Sequence, residues 1–226
     1  VMLFGDATAR RRARASRRAR GALADYYRTP LPDPGTPASE LRLLSVDFET
    51  TGLDPATNTL LSVGFVPVDG VEIVLGGAGS SVVAGASEVG QSATVHGLTD
   101  DMVAAGVPLA DTVASVLRAL AGRVLLAHFA EIEVGFLSRA CEQLYGAPFV
   151  SPFVDTMRLA HRTLSIGFDA EPTRDDLRLW TARARHGLPV YSAHEALTDA
   201  LAGAELYLAQ VAEMSPEPTR KSLRGA

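Results

Sequence analysis

The sequence predicts an α/β fold: a mixed sheet covered by helices on both faces. Three observations lead there. Leu41 to Phe48 is apolar apart from Arg42, Ser45 and Asp47, the profile of a central strand. Leu60 to Val68 and Val71 to Leu75 read as two strands joined by Asp69-Gly70, a strong hairpin signal, so the first three strands form an antiparallel meander. Beyond them, helical spacing alternates with short apolar runs, which is how helices and inner strands share one sheet.

Each later element has its own signature. Pro108 to Leu120 carries Leu109, Val113, Val116, Leu117 and Leu120 on one stripe and stops at Gly122. Val124 to Ala127 is a short buried strand, Glu131 to Tyr145 a helix ending at Gly146, and Val154-Asp155 closes one more strand. Thr173-Arg174-Asp175-Asp176 and Ser192-Ala193-His194-Glu195 both fit a capping box at a helix start. The second opens a long helix with Leu197, Leu201, Ala204, Leu208 and Val211 along one side.

Composition bounds the function. The longest apolar runs are far too short to span a bilayer, and a single cysteine, Cys141, excludes an intramolecular disulfide and a cysteine-cluster metal site. With no apolar signal-peptide core near the start, the expected compartment is the cytoplasm. The net charge of −5 is unevenly distributed. Residues 1–40 balance to +4, residues 41–212 to −10 and residues 213–226 to +1. Residues 6–28 are Arg- and Ala-rich and helical in propensity, with Gly21 the weak point. Four prolines then fall between Thr29 and Pro37, which reads as an extended connector. The expected division is therefore an Arg-rich helical arm and connector at 1–40, a catalytic unit at 41–212 and a tail at 213–226. The arm reads either as a solvated helix packed on its domain or as a basic tether for nucleic acid. A core as acidic as 41–212 repels nucleic acid unless cations neutralise some of its carboxylates.

Two segments carry chemistry. In Val46-Asp47-Phe48-Glu49-Thr50-Thr51-Gly52, the acids at i and i+2 project from one face of the strand. Desolvated together they repel, and a hard divalent cation relieves that cost. On its own, Asp-x-Glu equally describes a strand end with two solvated acids. In His194-Glu195-Ala196-Leu197-Thr198-Asp199-Ala200, Ser192 is the expected N-cap and His194 lies in the first helical turn. The positive end of a helix keeps an imidazole neutral, fit to accept a proton. A lone surface His in a capped turn fits the same pattern.

Together these segments resemble the DEDDh superfamily of 3′–5′ exonucleases, which includes the proofreading epsilon subunit of bacterial replicative polymerase. Asp47-Phe48-Glu49-Thr50-Thr51-Gly52-Leu53 is similar to its first motif. His194 to Ala200 is similar to the third, whose His and Asp stand five apart. Val95 to Met102 and Asp155 to Ala160 resemble further recurrent stretches. The second motif departs from the family pattern His-Asn-Ala-x-Phe-Asp: this chain has His128-Phe129-Ala130-Glu131-Ile132-Glu133. Glu133 takes the Asp position and Phe129 the Asn position. Glu131 and Glu133 lie about 160° apart on a helix, and Glu133 shares the face of Phe136 and Leu137.

The resemblance covers about residues 41–212 and implies a ribonuclease-H-like, five-stranded mixed sheet. It also implies two Mg²⁺ or Mn²⁺ ions held by Asp47, Glu49, Glu133 and Asp199, with His194 as general base. The implied substrate is a single-stranded 3′ end, gripped by Thr50, Thr51 and Leu53, and the implied product a nucleoside 5′-monophosphate. A DNA polymerase subunit is the further partner it implies; no membrane is expected. The alternatives are an RNA-trimming exoribonuclease and a non-catalytic nucleic-acid-binding module.

Overall fold

A computed structural model describes residues 7–85, 100–165, 171–192 and 195–223. The meander forms as the hairpin signal requires. Strand β1 (Arg42–Thr50) pairs antiparallel with β2 (Leu60–Asp69), and Gly70, at φ +61°, turns the chain into β3 (Glu72–Ile73). On its other edge β1 pairs in parallel with β5 (Val124–Ala127), which pairs in parallel with β6 (Phe153–Asp155). The path is β3-β2-β1-β5-β6, with β4 (Gly79–Val82) also on β2.

The sheet therefore has six strands among the described residues, where five were expected. The cause lies on its outer edge. The anticipated strand through Leu75 stops at Ile73, a single 3₁₀ turn covers Leu75–Gly77, and β4 resumes pairing further along β2. A side chain at Gly77 would lie 2.8 Å from the Pro67 ring, so the edge chain crosses that proline only without one.

Alternation along β1 sorts its side chains between two layers. Leu44, Val46 and Phe48 enter one apolar cluster with α4 (Leu109–Ala119) and α5 (Glu131–Tyr145), through Val113, Val116, Leu117, Phe136 and Leu137. Leu43 enters the other, beside Ala204 and Tyr207 of α8 (Ala196–Ala212). Between these helices come α3 (Asp100–Ala104), α6 (Thr156–Ser165) and α7 (Leu179–Arg185). Gly146 ends α5 in the left-handed conformation, φ +75°.

In the N-terminal segment the weak point at Gly21 becomes a break, and the helices pack on the domain, one of the two readings of the arm. The segment is two helices, α1 (Ala7–Ser16) and α2 (Gly21–Arg28), broken ahead of Gly21 at φ +52°. It is also docked: Ala15, Leu23 and Tyr26 are buried in the same cluster as Val46 and Phe136, so the packed unit begins well before residue 41. The Arg12 guanidinium donates to the carbonyls of Val150 (3.2 Å), Tyr26 (3.4 Å) and Thr29 (3.4 Å), and lies 4.5 and 4.7 Å from the Tyr26 and Tyr27 ring centres. The proline-rich connector and the C-terminal segment hold each other. Ala38 N–H donates to Pro218 O (2.9 Å) and Arg220 N–H to Thr36 O (2.9 Å), while Leu223 of α9 (Arg220–Leu223) is fully buried.

Two helix starts also shift. The Thr173–Asp176 box forms its reciprocal bonds, 3.0 Å from Thr173 N–H to Asp176 Oδ2 and 3.3 Å from Asp176 N–H to Thr173 Oγ1. It closes a turn, however, and α7 begins only at Leu179. Helix α8 starts at Ala196 with Glu195 as its N-cap, so Ser192 is not the cap; Ala193 and His194 lie outside the described residues, as do Val95 to Thr99 of the stretch Val95 to Met102.

Candidate active site

The site is built from β1 outwards. The β1–β2 register slips between Glu49 and Thr50, so the ladder is disturbed just past the Asp47/Glu49 pair. The face carrying Ser45, Asp47 and Glu49 meets α8: Ser45 Oγ donates to Ala200 O at 2.7 Å. Gly64 is the residue opposite Asp47, and α8 passes directly over it. A Cβ at Gly64 would lie 2.2 Å from both Ala196 C and Leu197 N. That approach carries Asp199 to the strand end. One carboxylate oxygen each of Asp47, Glu49 and Asp199 then lie within 4.8 Å of one another.

Glu133 arrives from the opposite layer, in the first turn of α5. It is buried, and its carboxylate accepts hydrogen bonds from the amides of Phe48 and of Glu133 itself. Oε2 is enclosed with no hydrogen-bond partner among the described residues. Glu131 points the other way: Arg158 Nη2 pairs with it at 2.5 Å, and its side chain is 57% exposed. Glu133 stands outside the 4.8 Å group but close enough for its charge to act on Asp47.

The electrostatics follow from four acids in one desolvated place. Asp47 is held well above the usual carboxylate range, first by lost hydration and then by the charges of Glu133, Glu49 and Asp199. Burial, then Asp199, pushes Glu49 up to about 7. Burial pushes Glu133 up to about 8, with Asp155 and Glu49 adding to it. Such a set favours bound protons or bound cations, and carboxylate oxygens are the donors that hard divalent ions prefer.

Asp155 is the acid whose place sequence reasoning missed. It is buried at the end of β6 and accepts from the amides of Phe129 (3.0 Å), Ala130 (3.2 Å) and Met157 (2.9 Å). It thereby holds the turn leading into α5, including Phe129 at φ +70°, and the start of α6. The only signal is the recurrent stretch beginning at Asp155. His128 is occupied at both nitrogens, by Thr156 Oγ1 and Leu177 O at 2.8 Å each, and burial lowers its pKa. It is a structural histidine. In the loop after β1, Thr50 Oγ1 donates to Gly52 O (2.8 Å), and Thr51 Oγ1 accepts from Thr59 N–H (2.9 Å). Both hydroxyls thus brace the loop, while Leu53 stands 70% exposed.

The acids Asp47, Glu49 and Asp199 thus cluster at the end of the central strand of a mixed sheet, on an α/β scaffold. The RNase_T exonuclease family model matches residues 44–207. The chain therefore belongs to this exonuclease family. A DNA polymerase III subunit epsilon-like protein of Rhodobacter capsulatus is 31% identical over 175 residues, covering 76% of this chain and 24% of the relative. The DNA polymerase III subunit epsilon of Treponema pallidum is 27% identical, covering 74% of each. A PolC-type DNA polymerase III of Thermotoga maritima is 26% identical, but this chain spans only 11% of its length. Among solved structures, E. coli exonuclease I in complex with a dT13 oligonucleotide superposes with TM-score 0.61 at 15% identity, covering 75% of this chain and 40% of that one. A 3′-exonuclease that recognises the histone mRNA stem-loop gives 0.62 at 14%, covering 79% and 84%.

Proposed function

We propose that the protein hydrolyses single-stranded DNA from its 3′ end in a reaction dependent on Mg²⁺ or Mn²⁺. The observation that carries this is the meeting of Asp47, Glu49 and Asp199 within 4.8 Å in a desolvated place where Asp47 and Glu49 resist ionisation. The residues fit the cation. Asp47, Glu49 and Asp199 would hold one ion, and Asp47 with Glu133, whose Oε2 has no partner among the described residues, would help hold a second. When bound, such ions supply Lewis-acid stabilisation to the phosphoryl group and to the attacking and leaving oxygens.

The chain's own groups do the rest. His194, five residues before Asp199, accepts a proton from the attacking water. The water oxygen bonds to phosphorus as the bond to the 3′ oxygen breaks; that oxygen takes a proton from solvent, and His194 later returns its own proton to solvent. The products are a nucleoside 5′-monophosphate and a strand one residue shorter. Leu53 offers the terminal nucleotide an apolar contact, and Thr50 and Thr51 hold its loop in place. Relatives named as DNA polymerase III epsilon subunits support DNA as substrate, a proofreading or repair setting beside a polymerase subunit, and a cytoplasmic location. Among the described residues no helix is long and apolar enough to cross a membrane.

The test is incubation of the purified protein with labelled single-stranded DNA and RNA, in Mg²⁺, Mn²⁺ or chelator. Release of mononucleotide from DNA in metal, and none in chelator, is expected. Faster release from RNA transfers the reading to RNA trimming, and binding without release in either metal leaves a non-catalytic module.

A further inference from the structure

We infer that the exposed arginines of α1 and of the turn after it form a fixed site for a nucleic-acid backbone. It holds the strand upstream of the 3′ end that sits at the acids. Arg10, Arg11, Arg14, Arg17, Arg18 and Arg20 are all exposed, and none forms an ion pair with an acid among the described residues. At about 100° per residue, Arg10, Arg11 and Arg14 share one side of α1. Thr8, Arg12 and Ala15 share the other, the side turned to the protein. One arginine is thus used as the anchor, and the rest are left facing water.

Docking separates this surface from an ordinary solvated charge run. Arg12 is held by three carbonyls and two tyrosine rings, Ala15 is buried, and Arg20 N–H donates to Tyr145 O at 3.1 Å. The guanidinium groups are therefore presented from an ordered helix, so little backbone entropy remains to be lost on binding. Surface cations are normally interleaved with acids, and α1 contains none. Guanidinium forks match phosphate oxygens in pairs. The exposed side offers only alanine between its arginines, without the large apolar residues that seat a basic helix in a membrane. A phosphate backbone is the partner that fits.

The geometry relates this surface to the acids. Arg20 is bonded to the last residue of α5, and Glu133 lies in the first turn of the same helix. Twelve residues at about 1.5 Å each separate the two ends by roughly 18 Å. A single strand stacked as in a duplex, at about 3.4 Å per nucleotide, covers that distance in roughly five nucleotides. This span rests on the proposed function; the binding itself does not.

The experiment measures fluorescence anisotropy of labelled dT20 and dT4 in chelator, from about 50 to 200 mM salt, so that nothing is cleaved. The variant is R10Q/R11Q/R14Q/R17Q, which keeps Arg12 and good helix formers. For dT20, its Kd should rise at least about 10-fold at the lowest salt. Its log–log salt slope should flatten by 2 to 3, at about 0.7 per phosphate lost. Binding of dT4 should be unchanged. Replacing the same four residues by Lys should retain most of the slope, which excludes misfolding as the cause. Equal Kd and slope for wild type and the Gln variant, or equal loss on dT4, overturns the proposal. So does a loss confined to anionic vesicles or to an acidic protein. If no cleavage is ever seen but the dT20 difference persists, the exonuclease reading fails and the backbone site stands.

Discussion

Gly64 faces Asp47 across the β1–β2 ladder, and its missing side chain is the space through which the α8 backbone reaches the strand pair. A methyl group there would sit 2.2 Å from Ala196 C and Leu197 N, neither of which is the end of a flexible side chain. Gly64→Ala should therefore lift the start of α8 and draw Asp199 away from Asp47 and Glu49. A destabilisation of about 1–3 kcal/mol is expected from overpacking, and turnover should fall by on the order of 10²-fold from misplacement of about 1 Å. Thermal unfolding and rate measured together check this; wild-type values for both would show that α8 adapts without moving Asp199.

The acid cluster makes stability depend on pH in a defined direction. Unfolded, Glu49 and Glu133 titrate near 4.5; folded, near about 7 and about 8. Between those limits the folded state binds more protons than the unfolded one, so stability falls as pH rises and the loss is complete above about 8. Metal-free protein should lose on the order of 6 kcal/mol between pH 5 and pH 8.5. Asp47→Asn should flatten that profile, and added Mg²⁺ should raise Tm more at pH 8 than at pH 5. A Tm that climbs with pH in chelator would contradict the electrostatics described here.

Glu133 and Glu131 stand two residues apart and face opposite ways. Glu133→Gln keeps the shape but removes the charge beside Asp47, and should reduce turnover by at least about 10²-fold. Glu131→Gln breaks only an exposed pair with Arg158. It should cost less than about 1 kcal/mol of stability and leave the rate nearly unchanged. Steady-state rates of the two variants decide the matter; the opposite ranking would move the second-motif acid to Glu131.

His194→Ala should slow hydrolysis by roughly 10²–10⁴-fold, the range for loss of a general base. Mg²⁺ affinity, read by calorimetry, should change little. A variant with wild-type rates from pH 6 to pH 9 would remove His194 from the mechanism.

Most of the acid cluster is legible in the amino-acid sequence. The Asp47/Glu49 pair follows from the two-residue period of a strand, and the inward turn of Glu133 from its phase with Phe136 and Leu137. What is not legible depends on contacts without a sequence signature. Arg12 docks on carbonyl oxygens of Tyr26, Thr29 and Val150, groups that every residue type carries, so an Arg-rich helix reads as a separate arm. The sixth strand arises because a Gly-rich edge breaks and resumes past Pro67, where a continuous strand is expected. Ser192 fits the capping pattern, yet α8 begins four residues later, at Ala196. Asp155 looks like one more acid until its backbone partners show that it braces the turn ahead of Glu133.

The most direct test of the central claim is the product pattern from a 5′-labelled single-stranded DNA in Mg²⁺, for wild type and Asp47→Asn side by side. The site described here predicts a ladder that shortens one nucleotide at a time from the 3′ end, with nucleoside 5′-monophosphates as the released product. With Asp47→Asn the strand should stay intact while the protein remains folded. Internal cleavage, shortening from the 5′ end, or a ladder that persists unchanged in Asp47→Asn or in chelator would contradict it.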